Sequence, residues 1–403
     1  TVDLEYVVEE VSTNQIELSG GWGLGRFVGT LGLVLNNFSL RNLFKKDAWR
    51  PIPSGDGQVL SIRGQTNGQY YQSYNFSFIE PWLGGKRPNT LSISLFHSLE
   101  TNGVSKKEDG TYNSYGTLLK RQEISISGAS VGLGIKLKKP DDFSRLFLSI
   151  NYLHYNLKDY IQTLSFKNGV ANNLNLGISF SRNSTDSPIY PTSGSNIYLS
   201  VNLTPPYSLF KNDEWGTMPD SIKFKWLEYH KWKIELTNYT TIYGKWVFMA
   251  RARFGFMGLY NKSVGLSPFE RYYLGGDGLS GFSLDGREII GMRGYANQVL
   301  TPRDIYGNYL GGTIFAKYTM EIRYPLSMNP MASVYLLGFV EAGNTWLNIK
   351  EFQPFNTMKS AGVGIRLYMP MFGLLGLDYG IPFDATYANK KYQGQFHFSI
   401  NAS

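Results

Sequence analysis

Gln15-Ile16-Glu17-Leu18-Ser19-Gly20-Gly21-Trp22 places apolar side chains at even positions and polar or small ones at odd positions. A period of two marks an extended strand whose two faces meet different media. The same period returns at the far end of the chain, where Gln395, His397 and Ser399 alternate with Phe396, Phe398 and Ile400. Between these ends it recurs in residues 59–64, 74–79, 91–95, 123–128, 146–152, 174–180, 196–203, 233–239, 247–256, 313–323, 333–341 and 362–368. About sixteen such segments, separated by turn residues, predict an all-β fold, a transmembrane antiparallel barrel with apolar positions in lipid and polar ones in a wet lumen. A chain that begins and ends on a strand closes such a barrel at a seam between the two.

Composition narrows the class further. Aromatic residues make up 15% of the 403 residues and charged residues only 17%, against about 25% charged in ordinary globular chains. With no cysteine, a disulfide scaffold, a zinc ribbon and thiol catalysis are excluded. The greasiest run, Val334 to Val340, stops far short of the ~20 residues that a membrane-crossing helix needs. The net charge of +8 is scattered rather than gathered in a stripe, so no nucleic-acid partner is expected. The four histidines are far apart and no cysteine nucleophile occurs; we expect no enzyme, no metal site and no cofactor. The opening TVDLEYVVEEV has neither a basic nor an apolar leader region, so a signal and upstream domains are expected to have been removed.

Connections differ in length. A tight turn at Pro188 to Gly194 contrasts with long segments at Thr101 to Gly116, Pro205 to Phe224 and, longest, Gly258 to Gly311. Outer-membrane barrels have short periplasmic turns and longer external loops, and a structureless loop of such length usually has a function. Gly276, Gly278 and Gly281 spell G-x-G-x-x-G within it, but no βαβ unit surrounds them and a dinucleotide site is rejected. Such glycines instead let backbone pass closely through a confined lumen.

Farther along lies Gly291-Met292-Arg293-Gly294-Tyr295. Together with the preceding Tyr-Leu-Gly-Gly, the Pro191 to Gly194 turn and Phe339-Val340-Glu341-Ala342-Gly343, it resembles the BamA-like outer-membrane assembly factors of the POTRA-barrel superfamily. The resemblance covers essentially the whole chain. It implies that external loop 6 folds back into the barrel and that Arg293, in the family's (V/I)RG(F/Y) motif, pairs with the acidic residue of an F-x-(D/E)-x-G strand, here Glu341. Met292 stands where the family has a branched aliphatic. On spacing alone, a solvated Arg293 and an unrelated lumen Glu341 read equally well. A simple pair would let exchange of the two charges restore function.

By the same resemblance, residues 1–12, with Leu4 to Glu10, are the end of a preceding POTRA domain, and 13–403 are the barrel. The expected function is that of an insertase of the Gram-negative outer membrane, part of a BAM complex. It would fold and insert β-barrel proteins through a lateral gate between Gln15 to Trp22 and Gly394 to Ile400. Gly20, Gly21, Gly23 and Gly25 weaken pairing of the first strand, although strand glycines can also merely accommodate curvature. Unfolded barrel clients, accessory lipoproteins and outer-membrane lipid are the partners implied. The alternative within the superfamily is a two-partner secretion transporter that exports a passenger through the lumen. A barrel appended to a phospholipase and a plain porin are weaker alternatives.

Overall fold

The computed structural model describes residues 14–400 apart from 24–25, 50–51, 86, 161–164, 212, 279–283, 285, 330–331, 371–372 and 389. The proposed POTRA segment, its boundary with the barrel, Gly25 and Gly281 therefore lie outside the described residues. Within β1, the side chains of Ser19 to Trp22 do too, as does that of Ile400.

Among the described residues, sixteen strands form one antiparallel sheet in simple up-and-down order. They are β1 (Gln15–Gly23), β2 (Arg26–Phe38), β3 (Gln58–Thr66), β4 (Tyr71–Glu80), β5 (Thr90–Thr101), β6 (Glu123–Lys136), β7 (Ser144–Lys158), β8 (Gly169–Asn183), β9 (Gly194–Leu203), β10 (His230–Tyr243) and β11 (Trp246–Gly258). After a long excursion come β14 (Ile314–Asn329), β15 (Ala332–Trp346), β16 (Met358–Met369), β17 (Gly373–Pro382) and β18 (Gln395–Ile400). The excursion, residues 259–313, carries its own two-stranded parallel pair, β12 (Tyr272–Leu274) and β13 (Glu288–Ile290). Period-two alternation does not single out β2 and β17. Consecutive apolar residues and glycines, as in Leu33-Val34-Leu35 and Gly373-Leu374-Leu375-Gly376, blur the contrast between faces there.

The faces are inverted relative to a soluble protein. Across β15, β16, β17 and β18, Leu336, Ile365, Leu377 and Phe398 are paired neighbours and point outward, all well exposed. One residue along, Leu337, Gly364, Asp378 and His397 form the next row, facing in, with Asp378 and His397 buried. An exposed apolar row is the lipid-facing band of a membrane barrel. The sheet curls round residues 259–313: a single apolar cluster contains Ile124 of β6, Tyr155 of β7, Ala171 of β8, Met257 of β11 and Phe315 of β14, together with Phe269, Tyr272 and Tyr295 of the excursion.

Connections 102–122, 204–229, 259–313 and 383–394 all leave one end of the barrel. The other end has 244–245, 137–143, 81–89 and 184–193, each of ten residues or fewer, with 39–57 as a long exception. The excursion is the sixth connection on the long-loop end, and it folds inward.

Val340 lies midway along β15 and is 51% exposed. Val340→Arg should lower unfolding free energy in vesicles by about 2–4 kcal/mol, the cost of a cation at the bilayer midplane. Tyr306→Arg, on an exposed loop turn, should stay within about 0.5 kcal/mol. Equal effects would contradict the assignment of faces.

Candidate functional site

The inward loop meets the barrel wall through Met292, Arg293, Gly294 and Tyr295. Strand geometry explains how the wall is built for it: Phe339, Glu341 and Gly343 are spaced by two on β15 and so share the inward face. Each receives a different part of the motif. The Arg293 guanidinium carbon lies 3.6 Å from the centre of the Phe339 ring. Its Nε and Nη2 donate to Glu341 Oε1 at 3.1 and 2.8 Å, while its backbone N–H donates to Glu341 Oε2 at 2.9 Å. At Gly343 a Cβ would stand 3.2 Å from the Met292 sulfur, so glycine is what lets the buried Met292 seat there.

Arg293 is not one half of a pair. Nη2 also donates to Glu321 Oε1 of β14 at 2.7 Å, and Nη1 lies 3.4 Å from Asp378 Oδ1 of β17. Each carboxylate has a second cation: Lys317 for Glu341 at 3.0 Å, Arg323 for Glu321 at 2.7 Å and Arg366 for Asp378 at 2.9 Å. Four cations thus face three carboxylates inside the barrel. Burial opposes the charge on Arg293, but Glu341, Glu321 and Asp378 reverse this and hold its guanidinium above the ordinary value. Lys317 Nζ also donates to Gly291 O at 2.6 Å, gripping the loop backbone just before the motif.

Glycine permits the closest approach. Gly294 has φ of +89°, and a Cβ there would come within 3.0 Å of the Ser360 side chain and 3.3 Å of the Gly380 backbone. Its N–H donates to Nε2 of His397 on β18 at 2.8 Å. Tyr295, fully buried, donates its hydroxyl to Lys359 O at 2.7 Å. The Tyr-Leu-Gly-Gly stretch lies alongside, with Met292 N–H donating to Gly276 O at 2.8 Å and Gly276 N–H to Tyr295 O at 3.1 Å.

A second anchor sits on another wall. Lys231 of β10, buried, reaches Glu270 at 3.1 Å and Glu288 at 3.2 Å, both on the loop, and Lys233 reaches Glu288 at 2.7 Å. Burial raises the Glu288 carboxyl, yet Lys231 and Lys233 bring it down to about 2. Sequence reasoning missed this anchor, and it missed Glu321, Asp378, Lys317 and Arg366. A signal existed in β14, where Lys317, Thr319, Glu321 and Arg323 share the parity of an inward face.

The strands expected to form a gate lie at the two ends of the sheet. β1 spans Gln15, Ile16, Glu17, Leu18, Ser19, Gly20, Gly21 and Trp22 and pairs with β2; Ile16 and Leu18 are exposed. Glu17 faces inward and forms a bidentate pair with Arg63 of β3, at 2.7 and 2.9 Å, across Gly32. β18 holds Gln395, Phe396, His397, Phe398, Ser399 and Ile400; Gly394 falls just before it, against the Tyr379 ring. Among the described residues no ladder joins β1 to β18.

Arg293→Ala leaves each buried carboxylate with its wall cation, so its cost should fall below the roughly 3–5 kcal/mol of a buried charge left wholly unpaired, but it removes the side-chain bonds that fasten the loop. Limited proteolysis should then cut within 259–313 far faster than in the parent; equal protection would rule out this anchor. The charge exchange Arg293→Glu with Glu341→Arg should not rescue, contrary to the expectation for a simple pair, because a glutamate at 293 would face Glu321 and Asp378. Recovery of protease protection in the exchanged chain would contradict the cluster.

Comparison with known proteins places this architecture. A model of the Omp85 superfamily domain matches residues 54–403. The chain is 22% identical over 363 residues to the outer membrane protein assembly factor BamA of Neisseria meningitidis serogroup B, covering 86% of this chain and 38% of that protein. It thus spans well under half of that relative's length. The crystal structure of BamA from Haemophilus ducreyi lacking POTRA domains 1-3 aligns with a TM-score of 0.64 at 18% identity, covering 96% of this chain and 70% of that one. CdiB from Escherichia coli aligns at 0.53 and 13% identity, covering 96% and 66%. At such identities the structural likeness speaks for the fold, and the family match for descent: the chain is an outer-membrane β-barrel belonging to the Omp85 superfamily.

Proposed function

We propose that this barrel belongs to a BamA-like insertase that folds and inserts other outer-membrane β-barrels through a lateral gate between β1 and β18. The observation that carries the reading is the seam: the sheet ends on two strands with no ladder between them among the described residues. An unpaired edge is a template for another strand. In hydrocarbon each unpaired backbone group costs several kcal/mol, so a client strand that pairs with such an edge lowers its own free energy on entering lipid. Client folding supplies the driving force, and the reading assigns the chain no catalysis, nucleotide, metal or cofactor. Unfolded barrel clients, lipid and accessory lipoproteins of a BAM complex would be its partners, with POTRA domains upstream of the barrel receiving the clients.

A second reading, the two-partner secretion transporter, is favoured by the space left in the lumen, a chamber of about 730 Å³ lined in part by Tyr71, Tyr155, Lys231 and Glu288. Passage of a polypeptide would require the inward loop to leave both walls, breaking the Arg293 cluster and the Lys231 anchor together. That double cost makes the insertase the better reading.

The test is client folding into liposomes by the full-length protein, with one cysteine placed in Ile16 to Trp22 and one in Gln395 to Ile400. No native cysteine competes within this chain. Folding that stops when the disulfide forms and returns on reduction is expected. Folding indifferent to the lock would remove the gate, and no client folding in any state would favour the transporter.

A further inference from the structure

β18 pairs with β17 over six residue pairs, from Gln395 with Gly380 to Ile400 with Leu375, the shortest ladder in the barrel among the described residues. Its other edge has no partner strand among them. On its inward face His397 is 5% exposed, and its Nε2 receives the Gly294 N–H, across 103 residues of chain.

We propose that His397 is a positioning residue through which the Arg293-Gly294 turn of the inward loop holds the last strand, and with it one edge of the seam. For function this rests on the gate reading above; as a statement about the strand it does not. The geometry of Gly294 makes the contact possible, because its left-handed backbone lies against β16 and β17 while its N–H points to β18. An imidazole nitrogen that accepts a hydrogen bond carries no proton, so the ring is neutral with its proton on Nδ1. Protonation of Nε2 would set one N–H against another and remove the tie.

The charged groups around the ring are Asp378, its register partner on β17, Glu341 on β15, and Asp277 and Arg293 on the loop, with Arg366 of β16 behind Asp378. Asp378 is engaged by Arg366 and Arg293, and Glu341 by Arg293 and Lys317. The cluster that seats Arg293 therefore also fixes the turn whose N–H reaches His397. Loop docking and strand position are coupled through one hydrogen bond.

The experiment measures the position of β18 against the wall, with no client present. Nitroxide labels at Val363→Cys and Phe396→Cys, both outward at 63% and 74% exposure, report the β16 to β18 distance in the chain reconstituted in vesicles. With His397 at neutral pH a single narrow distribution is expected. His397→Leu should add a longer-distance component, and His397→Gln, whose amide oxygen accepts, should restore the narrow one. Acidification should add the long component with His397 but not with His397→Gln. A His397→Leu distribution identical to the parent, or acid broadening His397→Gln as much as the parent, overturns the proposal. Should His397→Leu not fold, the pH series on His397 and His397→Gln decides alone. A chain that assembles no clients would sink the insertase reading and leave this measurement standing.

Discussion

Water cannot satisfy backbone N–H and C=O groups inside a bilayer, and the form of this chain follows from that restriction. It explains why the strands pair as one continuous antiparallel sheet, since every ladder removes two rows of polar groups from lipid. It also explains the inverted faces, with Leu336, Ile365, Leu377 and Phe398 outward and Asp378 and His397 inward. The same restriction makes the seam the energetically exceptional place in the barrel. Among the described residues, the two strands there each have an edge that no ladder of the sheet satisfies.

The interior solves a different problem. A loop drawn into the lumen must bring its polar backbone and its charges to partners. Here it does so by approaching closely where glycine allows, at Gly294 against Gly380 and at Met292 over Gly343, and by placing Arg293 among three carboxylates. Each carboxylate also has a cation on the wall, so none depends on Arg293 alone. Arg293 then adds contacts that bridge β14, β15 and β17. Lys231 and Lys233 do the same for the loop on β10, so it is held from two sides. His397 receives its hydrogen bond from the part of the loop that is fastened to the wall at Arg293.

How much of this was legible in the sequence depends on the kind of signal. Period-two alternation revealed most strands, including both ends of the sheet, but it dimmed at β2 and β17, where Leu33-Val34-Leu35 and Gly373 to Gly376 carry no contrast between faces. The resemblance directed attention to Arg293 and Glu341, and the structure brings these two within 2.8 Å. It offered nothing about Glu321 or Asp378, which belong to strands whose register with β15 is set only by folding. The Lys231 anchor joins residues of β10 to Glu270 and Glu288, and no local pattern links them.

By itself the sequence determined what depends on neighbours along the chain: most of the strands, the two faces of each of these, the long loop and the glycines that let it bend. These are properties of periodicity and of single residues, so they can be read from one chain. Tertiary structure alone decided which charges share a site, which walls hold the loop, and that the turn at Gly294 touches the last strand. Those facts come from the register between strands and the path of a loop through the lumen. Both are settled by packing and charge neutralisation across residues distant in sequence.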